Sequence, residues 1–138
     1  MDTYHIFISH AWKYSDDYNQ IVKWLNEAKA EGKLNWKNYS VPEHDPLINP
    51  NTTVGKNKLK QLLRNQIAPA SKVIVLAGMY SAYSDWIGYE IDTAVDYEKF
   101  IIGVKPWGQE RIPLKVSENS DVLVGWNKSS VINAILDN

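Results

Sequence analysis

The residue types that could do chemistry in this chain gather in two short stretches. The first is FISHAW (Phe7–Trp12), which carries Ser9, His10 and Trp12. The second is MYSAYSDWIGYEI (Met79–Ile91), which carries Tyr80, Tyr83, Ser84, Trp86 and Glu90. A carboxylate set among hydroxyls and aromatic rings suits a ribose, because the acid accepts hydrogen bonds from vicinal hydroxyls and the rings stack on a base. If such a sugar loses a leaving group, its transition state is oxocarbenium-like, and a nearby anion stabilises it. Each residue also has a plainer reading. Glu90 flanks an apolar stripe of Ile87, Ile91, Ala94 and Val95 that is expected to be buried, and a carboxylate there is either paired with a Lys or backbone group or belongs to a site. His10 alone reads as a turn residue, and Trp12 and Trp86 as covers on the core.

The elements that must position these residues alternate along the chain. Strands are expected at Tyr4–Ser9, Asn35–Val41, Lys72–Gly78, within Phe100–Trp107 and at Asp121–Trp126. The run KVIVLAG is continuously apolar, as expected of a strand covered on both faces. Between the strands lie helix patterns. Asp16–Ala30 has Tyr18, Ile21, Val22, Leu25 and Ala28 on one face, acids at its positive end and Gly32 as its stop. Gly55–Ile67 has Leu59, Leu62, Leu63 and Gln66 in register. A third helix opens at Ser84 or Asp85 as N-cap, after a loop at Met79–Trp86, and Ser129–Asn138 closes the chain. Repeated β-α units predict an α/β fold: a flavodoxin-like, doubly wound, five-stranded parallel sheet of order 2-1-3-4-5. Such a sheet binds ligands beyond the carboxyl ends of its strands, where strands one and three diverge. That is where Ser9, His10, Trp12 and the start of the third helix fall. Side chains on a helix lean toward its N-terminus, so Glu90 is expected to point back toward this edge.

Composition narrows the chemistry further. The 138 residues are one domain's worth, 44% hydrophobic and 22% charged. A formal net charge of −1 gives no electrostatic case for nucleic acid or a membrane surface. The absence of cysteine removes thiol nucleophiles, disulfides and thiolate metal sites, and His5, His10 and His44 have no metal-ligand spacing, so no metal is expected. With no long apolar run and no basic, apolar leader, a cytoplasmic location is expected. The glycosylation-type triplets at Asn38, Asn51 and Asn127 are then coincidental. Six Trp and eight Tyr against two Phe favour rings with a polar tip. A receiver domain needs an Asp at the end of strand three, which here reads LAGMY. Dinucleotide and P-loop glycine motifs and a GxSxG elbow are absent. The basic run Lys56, Lys58, Lys60 and Arg64 reads as a solvated helix face.

Ser84, Trp86 and Glu90 form a Ser-x-Trp-x-x-x-Glu spacing, and together with FISHAW this resembles the TIR-domain pattern. FISHAWKYSDDY, WKNYSVPEHDP and IIGVKPWG are similar to the TIR-like branch found in the bacterial Thoeris antiphage system. The resemblance covers essentially the whole chain and implies a single TIR-like domain over 1–138. It implies an NAD⁺-consuming enzyme in which Glu90 is catalytic, engaging the ribose next to nicotinamide while the N-glycosidic bond breaks. Ser9, His10, Trp12, Asp45, Tyr83, Ser84 and Trp86 would bind the substrate, NAD⁺ being substrate rather than cofactor. The product would be a cyclic or conjugated ADP-ribose signal for a separate effector protein, and self-association through TIR contacts is possible in such a family. The alternative is a non-catalytic TIR interaction module, motivated by the proline-rich loop Pro42–Thr52 and by Trp36 and Tyr39 read as exposed. A sensor that holds a nucleotide without turning it over is a third reading.

Overall fold

A computed structural model describes residues 2–9, 16–40, 53–106, 108 and 111–138, with only the backbone described at 53, 54, 56 and 79–85. Five parallel strands are ordered β2-β1-β3-β4-β5: β1 (Thr3–Ile8), β2 (Asn35–Asn38), β3 (Lys72–Leu76), β4 (Phe100–Val104) and β5 (Val122–Val124). The helices are α1 (Asp16–Ala30), α2 (Thr53–Ile67), α3 (Tyr80–Asp96), α4 (Leu114–Asn119) and α5 (Lys128–Leu136). This is the expected flavodoxin-like winding, with β1, β3 and β4 inside the sheet. All five residues of β3 are buried, as its unbroken apolar run requires.

Strand alternation sends side chains to two separate cores. Ile6, Ile8, Ile74, Leu76, Ile102 and Val104 meet α1 and α5 on one face of the sheet. Phe7, Val73, Val75 and Ile101 meet Leu59 and Leu63 of α2, Ile87, Ile91 and Ala94 of α3, and Val116 of α4 on the other. Helix α1 ends where Gly32 predicted, with φ of 75°. Gly32 N–H donates to Lys29 O at 3.1 Å and Lys33 N–H to Ala28 O at 2.9 Å, the paired bonds that close a helix through a left-handed residue. Asn127 caps α5 by accepting from the Ser130 N–H at 2.8 Å.

Four expectations need correction. Met79–Trp86 is not a loop: a 3₁₀ turn, Ala77–Met79, runs straight into α3, which starts at Tyr80, so Ser84 and Asp85 lie inside the helix and do not cap it. Residues 79–86 contain no Gly or Pro, and Ser and Asp there are tolerated by a helix that tertiary packing already holds. Val95 is 45% exposed rather than part of the buried stripe, because it stands about 80° around the helix from Ile87. Trp36 is buried, not exposed: β2 turns it into the α1/α5 core, where its Nε1–H donates to Asn26 Oδ1 at 3.1 Å. Helix α4, six residues following Pro113, was not expected at all; it is too short to show a period.

Candidate functional site

The carboxyl end of β1 and the start of α3 flank the point where the sheet's winding reverses. Ser9 follows β1 and continues its ladder, donating its N–H to Ile74 O at 2.9 Å. Its hydroxyl is buried and accepts the Leu76 N–H at 3.3 Å, which ties β1 to the last residue of β3. By alternation from Ile8, Ser9 shares the Phe7 face of the sheet, the face on which α2 and α3 pack.

Helix α3 spreads its residues over three neighbours. Ile87, Ile91 and Ala94 go to the sheet. Asp92 pairs with Lys115 of α4. Tyr89 reaches α2, its hydroxyl donating to Lys60 O at 3.4 Å while the Lys60 ammonium stands 5.4 Å from its ring centre. Between the sheet-facing and α2-facing rows lie Trp86 and Glu90, four residues apart and so on one line of the helix. Trp86 is half-buried against the Phe7 core.

Glu90 is the exceptional residue of this face. It is 3% exposed, and its Oε2 has no hydrogen-bond partner. Burial drives its pKa, which is pushed well above the ordinary carboxylate value; among the described residues no cation and no donor offsets the loss of water. A buried polar atom without a partner costs about 1–3 kcal/mol, and such atoms are rare. Thr93, also buried, avoids that cost by donating to Tyr89 O at 2.8 Å. Counted from Tyr80, Glu90 is the eleventh residue of α3, about 15 Å along its axis, and therefore deeper below the helix start than a cap at Ser84 would place it.

Of the residues singled out in the sequence, Ser9, Trp86 and Glu90 come to one face of the sheet. Tyr83 and Ser84 stand on α3, their side chains outside the described part. His10, Trp12 and Asp45 lie outside the described residues. One group at this edge gave no sequence signal beyond a favourable helix dipole. The Asp17 Oδ2 of α1 lies 3.9 Å from where a Cβ on Gly78 would sit, and Pro106 Cβ lies 3.1 Å from the same point. The starts of α1 and of the 3₁₀ turn and the exit of β4 thus converge over Gly78, where a Cβ would press tightly on Pro106. Among the described residues no cluster of three His, Asp or Glu could hold a metal ion, and no helix is long and apolar enough to cross a membrane.

The five-stranded winding and the acidic helix at its reversal point define a TIR-like fold. Residues 7–111 match the family described as Thoeris protein ThsB, TIR-like domain, and the chain belongs to that family. A search of curated proteins finds no match. Among solved structures, the chain is similar in fold to a conserved protein of Enterococcus faecalis V583, with a TM-score of 0.67, 7% identity and 99% of each chain covered. It is similar to the Clostridium botulinum CMP N-glycosidase BcmB, with a TM-score of 0.56, 16% identity, and 97% of this chain and 99% of that one covered. It is also similar to a prokaryotic SEFIR domain, with a TM-score of 0.50, 19% identity, and 96% and 93% covered.

Proposed function

We propose that this protein cleaves the nicotinamide–ribose bond of NAD⁺ and releases a cyclic or conjugated ADP-ribose signal that a separate effector protein reads in antiphage defence. The observation that carries the proposal is Glu90: a buried carboxyl with an unpartnered oxygen, beside Trp86, on the helix that opens at the sheet's reversal point. Membership of the ThsB TIR-like family supports the assignment, and an N-glycosidase of CMP on the same fold agrees with it at the level of architecture.

The chemistry follows from the carboxyl's surroundings. In the free protein burial favours the protonated acid. A ribose hydroxyl that donates to the free oxygen supplies the missing hydrogen bond. The positive nicotinamide-ribosyl group then favours the carboxylate, and the displaced proton goes to solvent. As the C1′–N bond breaks, its electron pair leaves with neutral nicotinamide, and positive charge develops on C1′ and the ring oxygen. A carboxylate in a dry setting stabilises that charge strongly. The nucleophile's lone pair closes the new bond at C1′; when the nucleophile is a hydroxyl or water, its proton is lost to solvent. Ser9, His10, Trp12, Asp45, Tyr83, Ser84 and Trp86 are the remaining groups assigned to hold the substrate. The protein acts in the cytoplasm as a single TIR-like domain, with no resident cofactor and with self-association through TIR contacts.

The interaction-module alternative loses part of its support, since Trp36 is a core residue and Glu90 forms no ion pair with a described residue. Incubation of the purified protein with NAD⁺ and measurement of nicotinamide tests the proposal. Release that falls about 100-fold or more in Glu90→Gln is expected. Bound NAD⁺ recovered intact from both proteins would favour the sensor reading instead.

A further inference from the structure

Helix α2 is built against the ordinary rules for a solvated helix. Its fifteen residues, TVGKNKLKQLLRNQI, hold four of the chain's fifteen Lys and Arg and none of its sixteen Asp and Glu. Exposed helix faces normally interleave the two signs, so that residues four apart attract. Here Lys56, Lys60 and Arg64 stand at successive four-residue steps, and each such like-charged pair destabilises the helix. Helix α1 has Asp16 and Asp17 in its first turn to meet its positive end, whereas α2 has no acid of its own in its first turn. Lys58, Lys60 and Arg64 are exposed, and none forms an ion pair with a described residue. On α3, Asp92 is taken by Lys115.

The row has a defined direction. Lys60 leans over the ring of Tyr89, the residue beside Glu90, so the cations border the seam between α2 and α3. Helix α2 leads into β3 at the amino edge of the sheet and therefore begins at the carboxyl edge, where the winding reverses; the row runs down from that edge, with Lys56 in the first turn, Lys60 in the middle at the level of Tyr89, and Arg64 in the last turn. With a net charge of −1, the chain as a whole does not attract anions, whereas α2, with four cations and no acid, does so locally. Four cations are too few to hold a nucleic acid backbone in competition with salt.

We infer that the Lys56–Lys60–Arg64 row of α2 is an electrostatic guide for the phosphates of the bound nucleotide, so that the site takes phosphate-bearing nucleotides and discriminates against neutral nucleosides. This rests on the nucleotide-site reading above but not on turnover. The row acts on encounter and phosphate placement, whereas Glu90 acts on the ribose.

The test is calorimetric binding of ADP-ribose and of adenosine to three proteins: wild type, Lys60→Gln/Arg64→Gln on α2, and Lys23→Gln/Lys29→Gln on α1, which removes the same charge from the opposite face. At about 10 mM ionic strength, where charges act over about 30 Å, the α2 variant is expected to bind ADP-ribose about tenfold more weakly than wild type. That gap shrinks toward unity at about 150 mM salt. The α1 variant should match wild type, and adenosine should bind the three proteins equally. Equal losses in the α1 and α2 variants, an unchanged α2 variant, or no binding of ADP-ribose would overturn the inference. Binding of ADP-ribose through α2 by a protein that releases no nicotinamide from NAD⁺ would support the guide and overturn only the cleavage.

Discussion

Among the described residues two ionisable side chains are buried, Lys72 on one face of the sheet and Glu90 on the other, and they are treated in opposite ways. Lys72 opens β3, is 6% exposed, and donates to Asn138 O at 2.8 Å beneath the end of α5. The rings of Phe100 and Tyr4, from the two flanking strands, stand 5.0 and 5.8 Å from its ammonium. Burial pulls its pKa down, yet a carbonyl, two aromatic faces and the negative end of a helix offset much of the lost hydration. Glu90 has no comparable compensation: burial pushes its pKa up and Oε2 is left without a partner. A fold that provides for one buried charge and leaves the other bare has the means to pair such groups. The bare group fits a site whose partner arrives with the substrate, at a cost to the stability of the free protein.

The contrast breaks if the two residues respond alike to substitution. The largest effect is expected at Lys72. Lys72→Ala removes a buried stem, the ring contacts and the bond to Asn138, and should destabilise the protein by about 2–4 kcal/mol in urea unfolding. Glu90→Met, of similar volume, should move the other way and stabilise by about 1–2 kcal/mol at neutral pH, because it deletes an unpaired buried polar group. A loss in Glu90→Met equal to that in Lys72→Ala would show that Glu90 has a structural partner after all.

The pH dependence sharpens the same difference. The folded protein holds the Glu90 proton more tightly than the unfolded chain, whose carboxyl titrates near 4.5. The term costs nothing below that value. Wild-type stability relative to Glu90→Met therefore falls as pH rises from about 4.5 through the raised folded-state pKa, and then levels off. Denaturant midpoints of the two proteins across that range measure it, and parallel curves would contradict the assignment. The smallest effect is expected at Ser9. Ser9→Ala leaves the buried Leu76 N–H without its acceptor and should cost about 1 kcal/mol, with no dependence on pH.

The architecture was legible because its signals were redundant. The apolar run marked β3, though the strand ends at Leu76 and not at Gly78, and the acids and glycine around α1 stated its boundaries in more than one way, so that α1 was read at its observed ends. The start of α3 was not legible, since Ser84-Asp85 carries the side chains of a cap while the true start at Tyr80 follows directly from a 3₁₀ turn. Trp36 misled because a Trp in a short polar strand reads as exposed, and only the packing of α1 supplies Asn26 to its ring nitrogen. For Glu90, periodicity gave its place beside the buried stripe and left two readings open. That its oxygen lacks a partner depends on what the tertiary fold brings near it, which no spacing records. The neighbourhood of Asp17 and Gly78 is likewise a product of strand order rather than of local sequence.

The most direct test of the central claim pairs two readings on the same protein: nicotinamide release from NAD⁺ and the thermal midpoint of Glu90→Gln against wild type. Release reduced by about 100-fold or more, with a thermal midpoint equal to or above that of wild type, is the predicted result. Wild-type release that survives the substitution, or a variant whose activity and folding are lost together, would contradict it.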